Sequence, residues 1–268
     1  MRRRAFLSWP GPIPFAHRGG ALDEPENTLP AFAAAVELGY HHVETDVHLS
    51  ADGVVFAFHD DVLDRVTDRP GRIAAMTAAQ VEAADAGHSF SADGMRTFPW
   101  RGRGVRVPRL EQVLESWPEV RVNIDPKQDA VVAPLIELLR RMDAFDRVCI
   151  GAFSDARLRR IRALAGGAVC TSMGPRAVAL ARVLGWGGVV ARLGADCLQI
   201  PARGGGVRLA TPRLVGAAHR AGLQVHVWTV DDPAEMEALL DLCVDGLMTD
   251  RPRVLKEVLV RRGAWHGG

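Results

Sequence analysis

Several things are scarce in this 268-residue chain, and each scarcity excludes something. Cysteine occurs four times, at Cys149, Cys170, Cys197 and Cys243, with no two close together. There is no Cys-x-x-Cys pair, so no zinc-ribbon or redox-motif spacing. Three of the four lie in apolar, strand-like runs and read as buried reduced thiols, which suits a reducing compartment. An excess of one charge is missing too: 33 basic against 32 acidic residues leave a net charge of +1. A chain so balanced offers no electrostatic footprint for nucleic acid or an anionic membrane surface. No apolar run approaches the roughly 18 residues that a membrane-spanning helix needs. Arg3-Arg4-Ala5-Phe6-Leu7 looks like the start of a twin-arginine leader. However, Ser8-Trp9-Pro10-Gly11-Pro12 stands where its apolar core would be. The expectation is a cytoplasmic protein with no signal peptide and no integral membrane association. Lysine is almost absent: only Lys127 and Lys256 break a background of arginine, which makes each worth locating.

What is present is ordinary globular composition, 48% hydrophobic and 24% charged, enough to bury a full core. Short β-like runs alternate with helical segments. Pro14–His17 is an apolar run ending in His-Arg-Gly-Gly. Thr28 then caps a helix with Leu29, Phe32, Ala33 and Val36 on one face, and Gly39 ends it. His42–Val47 is the next strand. Ser50-Ala51-Asp52-Gly53 follows, then Val54–Phe58. That connection is far too short for a parallel crossover, so the two runs form an antiparallel hairpin that returns His59 beside Thr45 and Asp46. The stretch 61–106 is irregular and glycine-rich and reads as an insertion, followed by a helix around Leu110–Trp117. Strands are then expected at Val120–Asp125, Val148–Phe153, Ala168–Ser172, Cys197–Ile200, Gln224–Thr229 and Gly246–Thr249. Val131, Val132, Leu135, Ile136 and Leu139 mark one intervening helix, and Thr211-Pro212 and Asp232-Pro233 open two others. With the hairpin arm set aside, eight parallel-type strands in about 250 residues describe a (β/α)8 TIM barrel, expected as one domain over 1–268. A doubly wound open sheet is the competing architecture, but no Gly-x-Gly-x-x-Gly follows the first strand.

Active sites of such barrels lie at the C-terminal ends of the strands. Here polar residues gather at those ends. The first strand ends in His17-Arg18. The second carries Glu44 and Asp46, two apart and so on one face. The hairpin brings His59, and the third barrel strand ends in Asn123-Ile124-Asp125-Pro126-Lys127, with Asp125 and Lys127 sharing a face. Three converging carboxylates repel unless a cation answers them, and oxygen ligands suit one divalent ion, Mg2+ or Ca2+. Arg18 and Lys127 beside that ion make an anion site, for which a phosphate is the natural occupant. Two flanking histidines titrate near neutrality and suit general acid–base work. Each piece alone has a plainer explanation: a satisfied core histidine, a solvated strand face, a surface lysine. Their joint placement carries the reading. His41 and His42 read as structural, His226 as a hydrogen-bonded core residue, His48 as farther along the hairpin. Trp228 and Phe153 stand where they either wall the pocket or simply pack.

Ala16-His17-Arg18-Gly19-Gly20, Pro25-Glu26-Asn27-Thr28, Glu44-Thr45-Asp46-Val47, Ser50-Ala51-Asp52-Gly53 and His59-Asp60 follow one another in a set order. So do Leu63–Thr67, Asn123–Lys127, Val227–Val230 and Asp245–Asp250. The series, from residue 15 to about 255, resembles the glycerophosphodiester phosphodiesterase family. The resemblance implies a (β/α)8 barrel with an insertion after the second strand. It implies hydrolysis of glycerophosphodiesters to sn-glycerol 3-phosphate and an alcohol, an activity of lipid and glycerol metabolism. It further implies His17 and His59 as the acid–base pair, and Glu44, Asp46 and Asp125 as metal ligands. Arg18 and Lys127 would bind phosphate, and Trp228 would line the pocket. Many members carry Glu where this chain has Asp125, one methylene shorter. The nearest alternative is lysophospholipase D chemistry on lysophospholipids. A catalytically silent phosphate-binding barrel is the alternative of another class, opposed by the presence of both histidines and all three carboxylates. A metal hydrolase of C–N bonds would be expected to use several histidine ligands instead.

Overall fold

The computed structural model describes residues 4–184, 194–204 and 206–267. In chain order its strands are β1 (Ile13–His17), β2 (His42–Leu49), β3 (Val55–Ala57), β4 (Arg121–Pro126), β5 (Val148–Ile150) and β6 (Cys170–Thr171). β7 (Cys197–Pro201), β8 (Arg203–Gly204), β9 (Val207–Arg208), β10 (Gln224–Trp228) and β11 (Gly246–Thr249) follow. The helices are α1 (Leu29–Glu37), α2 (Ala78–Glu82), α3 (Leu110–Ser116), α4 (Val132–Arg141) and α5 (Asp155–Leu164). After them come α6 (Pro175–Leu184), α7 (Pro212–Arg220), α8 (Pro233–Asp241) and α9 (Pro252–Arg261).

Eight strands pair in parallel in the order β6-β5-β4-β2-β1-β11-β10-β7. The ring closes where Ser172 bridges Cys197, with Met173 N donating to Cys197 O and Asp196 N to Thr171 O. This is the expected (β/α)8 barrel. The seam between β6 and β7 is its thinnest join, because β6 is two residues long. The strands expected at Val148–Phe153 and Ala168–Ser172 are therefore shorter than their apolar runs. Past Ile150 the chain turns outward, and Phe153 is 65% exposed.

Local chemistry explains the elements. Thr28 accepts from Ala31 N at the start of α1, and Gly39 leaves that helix with φ +91°. Thr211 and Asp232 cap α7 and α8, each ahead of a proline that cannot donate and need not. α4 turns Val132, Leu135, Ile136, Leu138 and Leu139 onto the sheet. β3 pairs antiparallel with β2, as the short connection requires, through a turn in which Gly53 holds φ +85°. Phe58 N then donates to Asp46 O, which fixes His59 beside the end of β2. The 61–106 stretch packs under its own apolar cluster, including Phe58, Leu63, Ile73, Val81 and Val105. It contains α2, closed by a Thr77–Gln80 capping box but too short to show a period. The β8–β9 hairpin is likewise unmarked by any pattern.

At the N-terminal end of the barrel, a 3-10 turn at Ala5–Leu7 drives Phe6 inside. Arg4 pins that turn, with Nε 2.8 Å from Asp196 and Nη1 donating to Gly167 O and Ala168 O. No described helix is long and apolar enough to cross a membrane.

Candidate active site

The strand register assembles the opposite end. His17 lies level with Glu44 across β1–β2, and Asp46 level with Asp125 across β2–β4. Alternation along β2 points both Glu44 and Asp46 inward, and both are buried. Arg18 takes up a left-handed φ of +52°, and its N–H donates to Glu44 Oε2 at 3.2 Å. A cavity of about 470 Å3 opens here, lined by His17, Arg18, Glu44, Asp46, His59, Asp125, Lys127 and Trp228. All eight residues singled out from the sequence thus meet at one mouth.

The ions inside are closely matched. Lys127 Nζ sits 2.7 Å from Asp46 Oδ1 and 2.8 Å from Asp125 Oδ2. Arg18 Nη1 reaches Glu26 Oε1 at 3.0 Å, while its Nε lies 3.1 Å from Asp46 Oδ2 without hydrogen-bond geometry. That buried Nε–H thus faces Asp46 as an ion pair without a hydrogen bond. Burial opposes the charge on Asp46, but Lys127 and Arg18 outweigh it and hold the carboxyl below its usual range. Glu44 fares differently. Burial, then the neighbouring Asp46, push it up to about 7 against the pull of His17 and Arg18. Burial also raises Asp125, with Lys127 pulling the other way.

Each histidine is clamped through Nδ1. Asp250 Oδ1 holds His17 at 2.6 Å, and Asp60 Oδ1 holds His59 at 2.5 Å. His17 Nε2 stands 3.6 Å from Glu44 Oε2. Burial works against a charged His17, yet Glu44 and Asp250 prevail and raise its pKa. His48 donates support from behind, its Nε2 3.0 Å from the His59 carbonyl. Trp228 and Phe153 meet edge to face at 5.4 Å on the far wall.

Five participants carry no mark as isolated residues. Arg65 binds Glu26 through two nitrogens, each at 2.7 Å, and Asp60 at 2.6 Å. Arg18, Glu26, Arg65, Asp60 and His59 therefore form one continuous chain of charges. Asn27 donates to Asp46 Oδ2 and accepts from Thr45. Asp250 comes from beyond β11. Glu26, Asn27, Asp60, Arg65 and Asp250 all fall inside the ordered motifs, which was the available signal.

The donor chemistry of Glu44, Asp46 and Asp125 fits a hard divalent cation. Burial and then Asp46 raise Glu44, and a cation bound there would favour its charged form. As arranged, the three carboxylates do not bring one oxygen each within 4.8 Å of the others. The ammonium of Lys127 spans two of them instead.

A parallel barrel with buried acids, clamped histidines and two cationic side chains, Arg18 and Lys127, at its C-terminal mouth defines an enzyme site for an anionic substrate. The sequence model of the glycerophosphoryl diester phosphodiesterase family matches residues 17–254. A probable glycerophosphodiester phosphodiesterase 2 of Mycobacterium tuberculosis is 38% identical, over 98% of this chain and 96% of its own. A solved putative glycerophosphoryl diester phosphodiesterase from Silicibacter pomeroyi superposes with TM-score 0.82 at 26% identity, covering 97% of this chain and 99% of its own. An Oleispira antarctica phosphodiesterase, solved with the product sn-glycerol-3-phosphate, superposes with TM-score 0.75 at 25% identity, covering 93% and 97%. This chain belongs to the glycerophosphoryl diester phosphodiesterase family.

Proposed function

We propose that the chain hydrolyses glycerophosphodiesters to sn-glycerol 3-phosphate and an alcohol, using one divalent cation and the pair His17 and His59. The observation that carries this reading is the clamping of both histidines. Each has Nδ1 on a carboxylate, which leaves Nε2 for the cleft and fixes the ring beside the anion site. Mg2+ or Ca2+ on Glu44, Asp46 and Asp125 would supply charge neutralisation and polarise the phosphoryl oxygens. Arg18 and Lys127, which both line the cleft, would bring positive charge to a phosphoryl group. His17, whose charged form Glu44 and Asp250 favour, is suited to protonate the leaving alkoxide. His59 takes the proton of the attacking hydroxyl: with water, glycerol 3-phosphate forms directly, and with the substrate's glycerol hydroxyl a cyclic phosphodiester forms that a water must then open.

Release of glycerol 3-phosphate from a panel of glycerophosphodiesters tests the proposal, first in EDTA and then with Mg2+ or Ca2+ restored. Turnover is expected only with the ion, and His17→Ala and His59→Ala are expected to lower it about 10³-fold or more while remaining folded. Wild-type turnover in either variant, or undiminished turnover in EDTA, overturns it.

One observation favours lysophospholipids as a second substrate class. Half the cavity is an apolar wall of Phe153, Met173, Val178, Leu209 and Trp228. Phe153→Ala is expected to reduce turnover of a lysophospholipid more than that of a short-headgroup diester. Equal loss on both removes the second reading.

A further inference from the structure

The proposed reaction uses the charged side chains and histidines of the cleft. Three uncharged polar side chains line it as well: Asn123 of β4, Gln199 of β7 and Ser172 just past β6. Asn123 and Ser172 are each 3% exposed. In the ring β5 and β6 stand between β4 and β7, so the 2.7 Å hydrogen bond from Gln199 Nε2 to Asn123 Oδ1 spans the barrel interior. Each of the three also stands next to a thiol of the apolar interior. Asn123 is level with Cys149, and Ser172 is bridged to Cys197. Gln199 follows Cys197 by two residues on the same face, one step nearer the mouth.

Gly151 makes room for the crossing. A Cβ at that position would lie 2.6 Å from Gln199 Oε1 and 3.5 Å from Ser172 Oγ. Both oxygens therefore border the space that the absent side chain leaves open to the cleft.

We propose that Asn123, Ser172 and Gln199 form a subsite for the hydroxyl groups of the substrate's glycerol, an inference that rests on the hydrolysis proposed above. The two amides spend one donor and one acceptor on each other. Among the described residues, Asn123 Nδ2, Gln199 Oε1 and Ser172 Oγ have no hydrogen-bond partner. What remains is a donor, an acceptor and a hydroxyl that can act as either. A diol both donates and accepts, so it matches this set. A phosphoryl oxygen only accepts, and its cationic partners Arg18 and Lys127 belong to the charged part of the lining. Phe153, Met173 and Leu209 offer a polyol no hydrogen bond. The glycerol end of the diester thus belongs on the amide side and the departing alcohol on the apolar side. Polar groups buried to meet a hydroxyl penalise an analogue that lacks it, because they are then left unpaired.

The test compares sn-glycerol 3-phosphate with n-propyl phosphate, which keeps the carbon chain and the phosphate and lacks both hydroxyls. Calorimetric titration of the wild-type chain in Mg2+ is expected to show sn-glycerol 3-phosphate bound at least about 10-fold more tightly. Gln199→Met keeps the length of the side chain and removes the amide. Gly151→Ala presses a methyl against that amide, at a residue without a positive φ. Each is expected to cut the preference to about 3-fold or less. Each should also lower kcat/KM for a glycerophosphodiester about 10-fold more than for bis(para-nitrophenyl) phosphate, which carries no hydroxyl. A wild-type chain without the preference overturns the inference, whether or not either variant folds. A preference retained in Gln199→Met overturns it as well, because the hydroxyls are then held elsewhere. A preference present in the wild type and lost in the variants, with no glycerol 3-phosphate released from any diester, sustains the subsite and refutes the hydrolysis instead.

Discussion

Replacing Lys127 by Met keeps the aliphatic stem and deletes the ammonium that lies between Asp46 and Asp125. Both contacts are short, 2.7 and 2.8 Å, and the carboxylates are only 2% and 13% exposed. Removing one partner of a buried ion pair leaves a charge that neither water nor protein answers, at a cost of about 3–5 kcal/mol. Arg18 still lies 3.1 Å from Asp46, which places this case at the lower end, about 3 kcal/mol. That is about 6–12 °C in Tm for a chain of this size. The sign with pH follows from Asp125, whose carboxyl burial already raises. As pH falls it takes up a proton more readily than an ordinary carboxyl, the uncompensated charge disappears, and the gap between Lys127→Met and wild type narrows. An added divalent cation should narrow it at neutral pH for the same reason. Urea unfolding of both proteins from pH 5 to 8, with EDTA and with Mg2+, measures each quantity. A difference below about 1 kcal/mol at pH 7, or one that widens toward acid, refutes the reasoning.

Two further predictions concern the groups behind the histidines. Arg65 is 46% exposed, so Arg65→Ala should cost no more than about 1 kcal/mol of stability. It should still lower kcat about 10-fold or more, because Asp60 and Glu26 lose their common tether. Unchanged kcat would detach the ion chain from the chemistry. Asp250→Asn removes a charge that raises His17, so the descending limb of kcat/KM against pH should move to lower pH. An unmoved limb would mean that His17 is not the proton donor.

Much of this was legible in the sequence because it rests on local rules. So short a connection between two β runs permits only a hairpin, which places His59 beside the end of the preceding strand. Residues two apart on a strand share a face, which paired Glu44 with Asp46 and Asp125 with Lys127. What was not legible depends on register and closure. Lys127 looks like a free phosphate ligand until β2 and β4 align Asp46 with Asp125, whereupon both carboxylates claim it. Asp250 lies 233 residues from His17, and they meet only because β11 pairs with β1. Glu26 and Arg65 are 39 residues apart, with the hairpin between them. Cys149, Cys170 and Cys197 are the buried free thiols that their apolar runs imply, but their convergence from three strands leaves no spacing to read.

Phe6 and the Arg4–Asp196 pair stopper the barrel at the end away from the histidines. Among the described residues, the lining of the cleft comes from the histidine end alone. Whatever reaches the cleft must depart by the way it came, and two fragments produced in one event must leave in turn. An accumulating product therefore obstructs the next arrival by standing in the doorway, without any second binding place. Mutations that widen the rim alter traffic in both directions at once.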